Sequence, residues 1–139
     1  MKKLMLIAAL IIMANFCFAQ KLQKGNLLGL HIITVSLKPN VTMDQFTAFY
    51  IAKVIPEYEK QFKGTKGYVV KGIRGENKNS FGIIWLFENE QARDKYFGTD
   101  EAGTPTDLGK KTMENVNAID KELEKYGTST SVYTDWVVQ

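Results

Sequence analysis

Residues 80–97 read SFGIIWLFENEQARDKYF, and the first half of that stretch decides the architecture. Strand alternation puts Phe81, Ile83, Trp85 and Phe87 on one face and Ile84 and Leu86 on the other. An antiparallel sheet with helices on a single side needs only one apolar face per strand. Here both faces are apolar, so a second layer is expected over the face that the helices leave bare. In one small chain, the expected cover is a second copy of the same sheet.

The second half of the stretch turns helical. Asn89 is suited to cap a short helix over residues 90–97, with Ala92, Tyr96 and Phe97 as its packing side and Arg93 and Asp94 as solvated charges. Residues 98–107 (GTDEAGTPTD) have loop composition. A helix follows over 108–126, with Met113, Val116, Ile119, Leu123 and Tyr126 facing inward, and Gly127 ends it. Residues 131–138 (SVYTDWVV) form the last strand.

Upstream, residues 68–74 (YVVKGIR) pair with residues 81–88 as a hairpin across a polar turn. Residues 42–62 read as a helix that opens on a Thr42/Gln45 capping box. Met43, Phe46, Tyr50, Val54, Tyr58 and Phe62 recur at helical spacing, and Pro56 is expected to kink the helix near Ile55. Residues 27–37 (LLGLHIITVSL) are the first strand, again apolar on both faces. The order β-α-β-β-α-β predicts an α+β fold: a ferredoxin-like split βαβ sandwich whose four-stranded antiparallel sheet carries helices on one face. Two such sheets joined by their bare faces make a dimeric α/β barrel.

The N-terminus predicts export. Lys2 and Lys3 precede an apolar run over 4–13, and Cys17-Phe18-Ala19 sets small residues three and one before Gln20. That is a signal peptide over 1–19, leaving a single domain over 20–139 in the periplasm or secreted. The apolar run is too short for a retained membrane anchor; bulky Phe16 disfavours lipidation of Cys17. Cleavage removes Lys2 and Lys3 from eighteen basic residues, leaving sixteen against fifteen acids. No basic cluster points to nucleic acid, and no membrane association is expected after cleavage. The one cysteine leaves with the signal, so packing alone must hold the mature chain.

Few residues are left to carry chemistry. His31 is the only histidine, suited to general-base catalysis or to a hydrogen bond within the sheet or seam. A lone histidine does not make a zinc site, and no cofactor is expected. Asp135 is unusual inside a strand and needs a partner or solvent; it and Tyr133 share a face and are candidates to act with His31. Trp85, Ile33, Ile83 and Phe87 are candidate walls of a ligand pocket, with Ile83 expected in the seam or the pocket. Arg74 suits either a clamp on a ligand carboxylate or a surface pair with Glu76.

Residues 84–97 (IWLFENEQARDKYF), residues 71–76 (KGIRGE) and residues 133–136 (YTDW) resemble segments of the dimeric α/β-barrel superfamily. That superfamily includes antibiotic-biosynthesis-type and haem-degrading monooxygenases and stress-responsive barrel proteins. The resemblance implies a homodimer, a pocket for a small hydrophobic or aromatic molecule, and cofactor-free oxygenation or isomerisation. Haem degradation is not carried over. Its helix histidine would fall near Lys95 and Tyr96, and its first-strand asparagine at Ile33 or Thr34. The alternative is a non-catalytic dimer whose barrel is filled by side chains. Converging polar groups beside Trp85 in a cavity would separate the two.

Overall fold

The computed structural model describes residues 22–139; the expected signal peptide over 1–19 and its cleavage point before Gln20 lie outside them. Strand β1 (Leu27–Leu37) leads to α1 (Met43–Phe49), a π-helical turn (Tyr50–Val54) and α2 (Ile55–Gln61). Strands β2 (Thr65–Lys71) and β3 (Phe81–Phe87) follow, then α3 (Glu90–Asp94), α4 (Asp107–Leu123) and β4 (Gly127–Val137). The sheet order is β2-β3-β1-β4 with every neighbouring pair antiparallel, an arrangement compatible with a ferredoxin-like fold. No helix among the described residues is long and apolar enough to cross a membrane.

Local chemistry accounts for the helix boundaries. Thr42 and Gln45 form both arms of the expected capping box. Pro56 sits in the first turn of α2, which continues directly from the π-helical turn. The chain widens into the π-helical turn just before it, which removes the clash of the proline ring with the preceding turn. The expected kink is thus a one-turn change of helix type. β2 begins three residues earlier than the apolar run suggests, because Glu59 accepts from the Gly67 amide at 3.0 Å and ion-pairs Lys66. β4 likewise begins at Gly127, four residues before its apolar run, because β1 extends the ladder down to Leu37.

Residue parity separates the two sheet faces. Odd-numbered strand residues, among them Leu27, Phe81, Ile83, Phe87 and Val137, join both apolar clusters with Phe46, Tyr50, Val54, Phe62 and Val116 from the helices. Ile83 is 1% exposed beneath α1. The expected facing is therefore corrected: Ile83 is covered by this chain's own helices and does not lie on the bare face. The bare face is the even-numbered one. There Val132 is 76% and Trp136 59% exposed, with Leu28, Leu30, Ile32 and Ile84 half-buried beside them. No described segment packs over that face in the two clusters.

Candidate functional site

The site lies on the helix-covered face, where two glycines in one row make room. Across the sheet, Gly67, Trp85, Gly29 and Asp135 stand in register. A methyl at Gly67 would lie 2.4 Å from the Trp85 ring, so the glycine lets the indole lean over β2. There the ring stacks on Tyr58, at 5.5 Å between centroids. A methyl at Gly29 would lie 3.1 Å from Asp135 Oδ1 and 3.9 Å from His31 Nε2. The carboxylate and the imidazole thus border one hollow, floored by bare backbone.

That hollow is part of a cavity of about 250 Å³. Tyr58, Phe62, Trp85, Phe87 and Phe97 give it aromatic walls. His31, Arg93, Tyr133 and Asp135 meet at one side, and Thr65 stands at the β2 side. The roof is the loop after α3. Gly98 N–H donates to Thr104, Asp100 accepts from the Thr104 amide at 2.7 Å, and the Tyr133 hydroxyl donates to the Glu101 carbonyl at 3.3 Å. The Thr104 hydroxyl holds the Asp100 carboxyl below its usual range. Gly103, at φ +61, rests against Arg93 and Tyr133 where any side chain would collide.

Arg93 organises the polar side. It is 8% exposed, and it forms an ion pair with Asp135, Nε lying 3.1 Å from Oδ2. Its Nη1 donates to the Gly98 carbonyl at 2.6 Å and lies 3.4 Å from Asp94 Oδ1, and its guanidinium lies 5.5 Å from the Phe97 ring centre. The reading of Arg93 as a solvated charge is thereby corrected. It supplies the partner that a strand-interior aspartate requires. The ring of His31 stacks on Tyr133, at 5.4 Å and 20°, and takes no hydrogen bond among the described residues. Burial pushes the imidazole below its ordinary value of 6.5, and Asp135 offsets this only in part. At neutral pH the ring is therefore neutral, with one nitrogen free to accept a proton. On the opposite wall the Tyr58 hydroxyl donates to both oxygens of Asp120, at 3.0 and 3.1 Å. Burial first, and then Asp120, pushes the Tyr58 hydroxyl up, so it remains a donor.

Of the residues expected at a site, His31, Trp85, Phe87, Tyr133 and Asp135 line this one cavity. Ile33 and Ile83 pack in the neighbouring core instead. Arg74 is exposed in the turn after β2, at the far end of that strand from Thr65, and does not line the cavity. Sequence reasoning missed Gly29, Thr65, Arg93, Phe97 and the roof loop. One signal was available for Arg93: it lies one helical turn before Phe97 on a short packing helix, while Asp135 lacked a partner.

No protein-family model matches the chain, and no curated protein matches it.

Proposed function

We propose that the mature chain is an exported ferredoxin-like homodimer of the α/β-barrel kind, each protomer holding a small hydrophobic or aromatic molecule in its own cavity. The observation that carries this reading is the cavity of about 250 Å³ beside Trp85, with aromatic walls and four polar side chains gathered at one side. A cavity of about 150 Å³ lined by apolar groups is already large enough for benzene, so a one- or two-ring molecule fits. A few convergent polar groups in an otherwise apolar concavity are what a binding site needs for orientation. This content favours a ligand binder over a barrel filled by side chains.

The same geometry supports cofactor-free proton transfer. A neutral His31 facing the hollow over Gly29 is suited to take a proton from a bound ligand as a general base. Asp135 would stabilise the imidazolium that forms, and Tyr133 holds the ring by stacking. Dimerisation rests on the bare face, where Val132 and Trp136 head an apolar patch of the sort that soluble monomers rarely leave open.

Native mass spectrometry of protein purified from its own cell envelope tests the proposal. The expected result is a dimer of chains beginning at Gln20, carrying up to two copies of a small molecule that gentle activation releases. A monomer, or a chain that begins at Met1, contradicts it.

A further inference from the structure

We infer that Thr65 forms a hydrogen-bonding subsite in the cavity, selecting ligands that carry an uncharged oxygen at the end lying against β2. Resting on the binding role proposed above, the inference adds the chemistry of the ligand. Thr65 lines the cavity and is 4% exposed, and its buried hydroxyl finds no hydrogen-bond partner among the described residues. It is the sole buried side-chain polar atom left unpaired among those residues. A buried hydroxyl without a partner destabilises the empty protein, whereas valine has the same shape and no such cost. A ligand oxygen seated there would complete its bonding.

The rest of the cavity sets the charge of that ligand. Thr65 lies in the row of Phe87 and Leu27, two rows along the sheet from His31 and two strands away. That is about 13 Å along the strands and about 10 Å across them. The polar cluster and Thr65 therefore bracket an aromatic slot rather than form one site. In the polar cluster the one guanidinium already faces Asp135 and Asp94, so an anionic ligand meets an excess of negative charge. At the Thr65 end the neighbours are Phe62 and Phe87, which offer nothing to a charged group.

Isothermal titration of the full mature protein with naphthalene, 2-naphthol, 2-naphthoate and 2-naphthylmethylammonium decides it. The expected order places 2-naphthol first, by about fivefold or more over naphthalene, with both ions weaker than either. Thr65→Val should erase the preference for naphthol, leave naphthalene unchanged, and hold or raise Tm. Naphthalene binding as well as naphthol, an ion binding best, or a Thr65→Val protein that keeps the naphthol preference overturns the subsite while leaving the cavity's role intact. A lowered Tm in Thr65→Val would show that the hydroxyl already has a partner, which also overturns the subsite. Failure of all four probes to bind overturns the binding reading and the subsite together.

Discussion

The two faces of this sheet are built from the same four strands and are both apolar, yet they have opposite fates. The odd face carries Phe81, Ile83, Phe87 and the cavity beneath the helices. The even face carries Val132 and Trp136 into solvent. On the odd face Gly29 and Gly67 flank Trp85 in one row, with His31 and Asp135 beside them, whereas on the even face Gly82 stands between Ile32 and Val70, and the Val70 side chain closes over it. Two side chains missing in one row beneath the helices leave a cavity, whereas a single gap is filled by its neighbour. The cavity thus owes its place to where the small and polar residues fall, more than to the apolar ones.

A charge placed on each face breaks the comparison most sharply. Ile83→Asp would bury an unpaired carboxylate under α1 and cost about 4 kcal/mol or more, so the protein should fail to show a cooperative melt by circular dichroism. Val132→Asp, at a position 76% exposed, should leave each protomer folded and make it monomeric by sedimentation. A dimeric Val132→Asp protein would mean that the even face is not the seam.

Next in size is the row of glycines. Gly67→Ala pushes a methyl to within 2.4 Å of the Trp85 ring and 2.8 Å of Ile55 Cδ1, contacts that force the indole out of its place over β2. Overpacking of this kind costs about 1 to 3 kcal/mol. Thermal melting should register that loss, and ligand binding should weaken with it. An unchanged Tm would mean that the indole does not lean over β2.

Arg93→Gln is the finer test of the polar side. Removing the cation leaves Asp135, its side chain 30% exposed, uncompensated, at a cost of about 1 kcal/mol after allowance for that exposure. The uncompensated carboxylate also raises the His31 pKa, which proton NMR reads without ambiguity because the chain has one histidine. Arg93→Lys should restore much of the lower value. If His31 titrates identically in wild type and Arg93→Gln, Arg93 has no hold on the site's protonation.

The smallest effect is the pH dependence of stability. The folded His31 pKa lies below 6.5, so the unfolded chain binds more protons in that range. His31's contribution is therefore complete above the unfolded value and is lost as pH falls through the folded one. His31→Gln should flatten the fall of Tm as pH drops below about 6.5. An unaltered slope would assign that dependence to other groups.

Most of the fold could be read from the sequence because strand and helix periods, caps and the proline are local signals. β1 was legible to its ends, and the capping box and the break before Pro56 stand where the residues put them. What escaped was pairing across distance. Parity shows that Ile83 and His31 share a side but not which side the helices choose, since both sides are apolar. Arg93 looks like any helix-surface arginine until β4 brings Asp135 beside it. Thr65 and Gly29 carry no local mark at all; only the register of neighbouring strands gives them a place in the cavity.

The central claim, a ligand cavity on the odd face and a second copy on the even one, is tested most directly by two single-tryptophan proteins. Trp136→Phe leaves Trp85 to report on the cavity, and Trp85→Phe leaves Trp136 to report on the bare face. Emission from both is followed while 2-naphthol is added and while the protein is diluted. The account predicts that naphthol quenches Trp85 and spares Trp136, and that dilution shifts Trp136 to longer wavelength and spares Trp85. Quenching of Trp136 by the ligand, or a dilution response at Trp85 with none at Trp136, would contradict it.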